Sequence, residues 1–257
     1  MVSYSRLTYV GHGTVLIDME GQRILTDPLL RNQLGFFFLH RCSPGVNSKS
    51  YQSINAVLIS HMHLDHLDIP SLRLVGKSAL LIVPKGASRY LKDRGFDKVK
   101  EIRIGECIQV DQVKVTATPA KHSGRRHLFA PAVECLGFVV EGSHSIYFAG
   151  DTDLFLQMSS LGTTRALDVA LLPVWGWGPT LGSGHLDPLR AAQALKLLTP
   201  KISVPIHWGT FCPIGMNLVR PHYLTYPPYT FAHHARRLSP QVDVRVIAPG
   251  ESTQLIG

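Results

Sequence analysis

The sequence predicts an α/β fold, a layered sandwich in one domain spanning residues 1–257, and three observations carry that reading. Short apolar runs recur along the whole chain, punctuated by its 22 Gly and 17 Pro, which is the pattern of many strands joined by turns. A few amphipathic stretches of helical period fall between those runs, as layered α/β architectures require. No internal repeat, low-complexity linker or composition break divides the chain, and undivided α/β domains of ~250 residues are common. With 257 residues, 45% of them hydrophobic and 17% charged, the chain is long enough to bury roughly three-quarters of its unfolded surface and is excluded from the disordered class.

Taken in order, residues 7–10, 14–18 and 23–26 read as strands joined by tight turns, with Met19-Glu-Gly-Gln22 as a hairpin. Further strands are expected at 56–60, 80–83, 113–118, 136–140, 145–149, 169–172, 202–206 and 244–248. Helices are expected at 87–94, 187–198 and 230–238; the middle one opens well, with Asp187 as N-cap and Pro188 at its first position. Asp68 is placed to cap the segment after it. The segment Leu34-Gly-Phe-Phe-Phe-Leu39, containing Phe37, is apolar but lies between polar stretches and reads as loop.

The balance of 26 Lys+Arg against 18 Asp+Glu gives a formal charge of +8, which favours anionic partners without choosing among them. Cys42, Cys107, Cys135 and Cys212 are scattered, with no C-x-x-C pair, and read as packing residues in a reducing compartment. The first residues lack the charged-then-apolar pattern of a secretory signal. No run reaches the ~18 apolar residues of a membrane span. A cytoplasmic protein is therefore expected.

The 13 His direct attention to metal chemistry. The sharpest local signal is Ser60-His61-Met62-His63-Leu64-Asp65-His66-Leu67-Asp68. Imidazole and carboxylate suit borderline divalent ions such as zinc, manganese and iron, and this run holds more donors than one tetrahedral ion needs. It follows the strand at 56–60. The strand at 145–149 leads through Gly150 to Asp151, that at 202–206 leads directly to His207, and that at 113–118 turns through Pro119-Ala-Lys to His122. Ligands in α/β sheets bind beyond the carboxyl ends of strands. Four strands thus deliver five His and two Asp to that position, the right number for two metal ions sharing a carboxylate.

The motif H-x-H-x-D-H, a later His, Gly150-Asp151-Thr152 and a final His after a strand resemble the metallo-β-lactamase superfamily. Within it, the segments from Thr8 to Ile17, Leu25-Thr-Asp27-Pro28, His185-Leu-Asp-Pro188, Ile206-His-Trp-Gly-Thr-Phe211 and Gly250-Glu-Ser252 resemble N-acylphosphatidylethanolamine-hydrolysing phospholipase D, with the ascorbate-6-phosphate lactonases nearby. The likeness runs from about Leu7 to Ser252. It implies a four-layer αβ/βα sandwich, two central mixed sheets flanked by helices. It assigns His61, His63 and His122 to one metal, and Asp65, His66 and His207 to a second. Asp151 would bridge the two. The chain starts at its first strand, without the N-terminal extension of the mammalian phospholipases, which counts against membrane docking.

The expected activity is that of a dinuclear metal-dependent hydrolase. Two cations a few Å apart make hydroxide available from a bridging water near neutral pH and polarise the oxygen under attack. Asp65 is expected to act both as ligand and as acceptor of the water's proton. His185 matches a family position facing the substrate, where it would contact a phosphate or protonate the leaving group. Asp27 and His12 are expected to orient ligands from behind. The remaining histidines, His40, His127, His144, His222, His233 and His234, read as surface or packing residues, and Asp153 as a further polar group near the metals.

Three features bear on the substrate: Phe37 in its apolar loop, Trp175 and Trp177 in Trp175-Gly-Trp-Gly-Pro179, and five aromatics from Phe211 to Phe231. Apolar loops around a polar centre suit a substrate with a hydrophobic part, though core packing or a homo-oligomer interface would use them equally. Arg125, with Arg126, is placed to approach an anionic group bidentately. The leading expectation is a phosphodiesterase acting on a small anionic or lipid-like substrate. A lactonase acting on a phosphorylated or acylated lactone is the alternative, followed by a metallo-nuclease and a non-catalytic metal-binding protein. No RNA-gripping aromatic–basic module is present, so nucleic acid is not the expected partner.

Overall fold

The computed structural model describes residues 4–35, 39–124, 133–176 and 182–256. In the first half the elements are β1 (Tyr4–Gly11), β2 (Thr14–Met19), β3 (Gln22–Thr26), β4 (Gln33–Leu34), β5 (Leu39–Arg41), β6 (Ala56–Leu58), α1 (Ile69–Val75), β7 (Leu80–Pro84), α2 (Ser88–Lys92) and β8 (Val99–Ile102). The second half holds β9 (Cys107–Val110), β10 (Val113–Pro119), β11 (Leu136–Glu141), β12 (Ser145–Phe148), α3 (Met158–Thr164), β13 (Val169–Pro173), α4 (Pro188–Leu198), β14 (Ile202–Ile206), β15 (Phe211–Pro213), α5 (Met216–Val219), α6 (His222–Thr225), α7 (Pro227–Leu238), β16 (Asp243–Val244) and β17 (Ser252–Ile256).

These strands form two seven-stranded mixed sheets, ordered β17-β1-β2-β3-β6-β7-β8 and β16-β14-β13-β12-β11-β10-β9, and a small sheet β15-β5-β4. In each large sheet hairpin-linked antiparallel strands give way to parallel ones, β3-β6-β7-β8 and β12-β13-β14-β16. Strand alternation sorts the side chains into layers. Val15 and Ile17 of β2, with Ala56 and Leu58 of β6, enter a core shared with Phe138, Tyr147 and Phe148 of the second sheet. Their neighbours Leu16 and Val57 face the other way, into a second cluster with Leu72 of α1 and Leu91 of α2. On the outside of the second sheet, Ala191, Ala194, Leu195 and Leu198 of α4 meet Phe231 and Ala235 of α7. Their helical spacing in α4 gives it one apolar stripe. The result is the sandwich of two mixed sheets flanked by helices that the sequence predicts.

Boundaries differ where the sequence signal is short. Helix α1 is seven residues long and was not expected from periodicity, yet Asp68 caps it, its Oδ2 accepting from the Ser71 amide at 3.0 Å. The strand expected at 244–248 shortens to β16, which pairs with Ile202 and Ser203 of β14. The 34–39 segment is flanked by strands rather than being all loop: β4 and β5 pair, and β5 pairs in turn with β15. Phe37 itself lies outside the described residues.

The cysteines also depart from the expectation. Cys42, just after β5, and Cys212 in β15 form a disulfide across the small sheet, and Cys107 is exposed. Only Cys135 is a buried free thiol. The argument for a reducing compartment from unpaired cysteines therefore falls. Among the described residues no helix is long and apolar enough to cross a membrane.

Candidate metal centre

The loops that follow β6, β10, β12 and β14 meet at one edge of the sandwich, and backbone bonds lock them together. The Leu136 amide donates to the Ser60 carbonyl at 2.9 Å, joining the two sheets beside His61. The His207 amide donates to the His12 carbonyl at 2.9 Å, and the Asp153 amide to the Lys121 carbonyl at 2.9 Å. Gly150 makes the tight turn into Asp151 with φ of +61°. A Cβ there would lie 2.8 Å from the Leu136 carbonyl oxygen and from Ser60 Cβ, so only glycine fits. His12, Asp27 and His207 also hold positive φ, at 56°, 31° and 64°. Non-glycine residues adopt such angles rarely, and strain of this kind gathers at functional sites.

Hydrogen bonds behind the centre fix which nitrogen each imidazole presents. His122 Nδ1 donates to the Gly184 carbonyl at 2.8 Å, and His207 Nδ1 to that of Trp175 at 2.9 Å. His66 Nδ1 donates to Asp27 Oδ2 at 2.7 Å. Asp27 also accepts from the Ser60 hydroxyl at 2.5 Å and the Ser60 amide at 2.7 Å. Having given its proton to Asp27, Ser60 Oγ accepts from His61 Nδ1 at 2.9 Å. All four rings therefore turn an Nε2 lone pair inward, the arrangement by which outer partners orient metal ligands.

Those lone pairs converge in two groups. His61 Nε2 is 2.9 Å from His63 Nδ1, which is 3.2 Å from His122 Nε2. His66 Nε2 is 3.4 Å from His207 Nε2 and 3.5 Å from Asp65 Oδ2. Asp151 stands between the groups: Oδ1 is 3.2 Å from His207 Nε2, Oδ2 is 3.2 Å from His66 Nε2, and both His122 and His185 lie within 4.8 Å. Asp151 Oδ1 is buried and has no hydrogen-bond partner among the described residues. Imidazole nitrogens and carboxylate oxygens gathered this closely suit a shared cation, so the donor set fits bound metal ions.

The electrostatics agree. Burial holds His61 well below the usual imidazole range and pushes His207 down to about 3, keeping both neutral as ligands must be. Burial lowers His63 and His122 as well. Burial opposes charge on Asp151 and Asp65, but the surrounding histidines override it and hold both well below the carboxylate range. At His66 burial is overcome by Asp151, Asp65 and Asp27, which raise its pKa.

Of the other sequence-predicted residues, His12 Nε2 lies 2.9 Å from Asp65 Oδ2, and its ring stacks near His207 with centroids 3.8 Å apart. His185 is half-buried at the rim, with Nε2 3.6 Å from Asp151 Oδ2. Trp175 is brought to the centre through its carbonyl. Asp153 is paired with Arg190 and Lys121. Arg125, Trp177 and Phe37 lie outside the described residues. His144 is buried in packing against Ser5, as expected. His40 falls beside Cys42 and Cys212, which are bonded to each other. Sequence reasoning missed Ser60, which relays Asp27 to His61, and Thr210, whose hydroxyl accepts from the His12 amide at 2.8 Å. Their position next to recognised motif residues was the available signal.

Comparison with known proteins bears on the same segments. Residues 22–208 match the family model described as the beta-lactamase superfamily domain. A UPF0173 metal-dependent hydrolase of Methanopyrus kandleri is 31% identical over 252 residues, covering 96% of this chain and 98% of that protein. One from Deinococcus radiodurans is 31% identical over 251 residues, covering 97% and 99%. Among solved structures, the metallo hydrolase Igni18 of the hyperthermophilic archaeon Ignicoccus hospitalis matches with a TM-score of 0.75 at 25% identity, covering 98% of both chains.

Proposed function

The chain belongs to the beta-lactamase superfamily and, within it, to the UPF0173 metal-dependent hydrolases, and on that premise we propose a hydrolase with two metal ions that cleaves a phosphodiester. A diester with a lipid-like part, such as an N-acylphosphatidylethanolamine, is the natural extension of the sequence resemblance. The observation that carries the reading is the convergence of His61, His63 and His122 on one side of Asp151, and of Asp65, His66 and His207 on the other. Mixed nitrogen and oxygen donors suit zinc, manganese or iron.

Two such cations, when bound, supply a nucleophile from water near neutral pH and draw charge from the oxygen under attack. The protein's own part is division of labour. Asp65 accepts the proton of the attacking water, and the His12 ring bonded to it holds the carboxylate in place. Asp151 sets the spacing of the two groups. Asp27 and Ser60 keep the imidazoles in the tautomer that leaves Nε2 free. His185, at the rim, offers a donor to a phosphoryl oxygen or to the leaving group. The net charge of +8 favours an anionic substrate, a diester or a phosphorylated lactone alike.

The test is purified protein with metals added back, elemental analysis, and a panel of bis-p-nitrophenyl phosphate, N-acylphosphatidylethanolamine, lactones and short RNA. Diester hydrolysis with two ions per chain is expected. Turnover of lactones alone would move the reaction to carbon, and turnover of RNA alone would assign a nuclease. No turnover with both ions bound would make this a binding protein. In His185→Ala, turnover should fall about a hundredfold while metal content holds; loss of metal would overturn its assignment to the substrate.

A further inference from the structure

Beside the metal centre lies a cavity of about 380 Å³, and we propose that it binds an aryl group of the substrate, the portion remote from the bond that is cleaved. This rests on the hydrolase reading for its link to catalysis, but not for the binding itself. Topology puts the cavity at the reacting edge. Strands β13, β14 and β16 are parallel, so α4 and α7, which connect them, both begin where β14 delivers His207. The cavity lies at those two helix starts, lined by Pro188 of α4 and by Pro227 and His234 of α7. Trp175 joins cavity and centre: it borders the first, and its carbonyl accepts from His207 Nδ1 of the second at 2.9 Å.

The lining selects the chemistry. Trp175 and Tyr223 have ring centroids 5.8 Å apart, His222 and Tyr223 4.6 Å, and His222 and Tyr226 5.8 Å. A wall of tilted and edge-on rings favours another ring by stacking and edge-to-face contact. A cation is disfavoured, since two helix N-termini raise the local potential. The carboxylate at the rim, Asp187, is already committed to capping α4, its Oδ1 accepting from the Arg190 amide at 2.8 Å. The volume is near the lower end for ligand pockets, which run from ~300 Å³ upward, and suits one or two rings.

Binding can be read without turnover. The full chain, stripped of metal with a chelator and separately loaded with zinc, is titrated with 4-nitrophenol, hexanol and choline by ligand-observed NMR. Saturable binding of 4-nitrophenol is expected in both forms, with hexanol and choline at least about tenfold weaker. Tyr223→Ala should weaken 4-nitrophenol about tenfold, the scale of a lost aromatic pair. Trp175→Leu keeps the carbonyl that His207 bonds, removes the ring from the wall, and should weaken it about fivefold. Metal content should hold in both variants, and circular dichroism checks that they fold. Hexanol or choline binding as tightly as 4-nitrophenol overturns the aryl assignment, and unchanged binding in both variants overturns the cavity. In the loaded enzyme, KM for bis-p-nitrophenyl phosphate should rise in Tyr223→Ala. If 4-nitrophenol binds as expected but no diester is cleaved, the cavity stands and the proposed reaction fails.

Discussion

Asp151 sits where two imidazole nitrogens approach one carboxylate at 3.2 Å each, and its Oδ1 has no donor of its own. On the proposed reading, that carboxylate is where bound cations would be shared. Asp151→Asn keeps the shape and removes the charge. Metal content should drop from two ions toward one or none, and turnover should fall at least about a hundredfold. Elemental analysis with the diester assay decides it: two ions and full activity would end the bridging assignment of Asp151. At this scale the sequence was legible where function is local. His61, His63, Asp65 and His66 stand within six residues, and the other ligands directly follow apolar runs. Ser60 and Thr210 were not legible, because a hydroxyl gains its role only from what lies across from it. Asp27 reaches Ser60 over 33 positions and Thr210 reaches His12 over 198, separations at which no spacing rule operates.

At the scale of elements, the ligand-bearing turns matter more than the strands they end. Gly150 joins β12 to Asp151 with positive φ and no room for a Cβ. Gly150→Ala should cost about 1–3 kcal/mol in denaturant unfolding, from strain and from contact with the Leu136 carbonyl. It should also reduce metal occupancy, because relief of that contact moves Asp151. Normal stability with two bound ions would show that the turn has slack. Elements with strong end signals were the legible ones. Asp187-Pro188 announced α4, whose buried Ala191, Ala194, Leu195 and Leu198 repeat at helical spacing. Helix α1 escaped notice because seven residues span barely two turns, and β4, β5 and β15 because two or three residues show no alternation. These last three exist by pairing with one another, a tertiary cause that a local pattern does not register.

The whole molecule brings two further constraints together. The disulfide between Cys42 and Cys212 closes a separation of 170 residues and ties the small sheet to the chain just beyond His207. Thiol titration of the unfolded, unreduced protein should find two free cysteines, Cys107 and Cys135; four would mean that the bond does not form in solution. The larger constraint is that one edge of the sandwich buries Asp65, Asp151, His61, His66 and His207 in an arrangement that bound cations would stabilise. Ions that bind only the folded state stabilise it by mass action, about 2.7 kcal/mol at a hundred times their dissociation constant. For a chain of this size each kcal/mol moves the melting temperature by about 2–4 °C. Chelation should therefore lower Tm by about 5–10 °C, and added zinc or manganese should restore it in proportion to the logarithm of its concentration. The control is Asp151→Asn, in which the chelator-sensitive part of Tm should shrink by half or more. An equal loss in variant and parent would place the stabilising ions elsewhere. The stability of the fold and the assembly of the site would then be separate properties, whereas the bonds from Ser60 to Leu136 and from His12 to His207 join them at the same sheet edge.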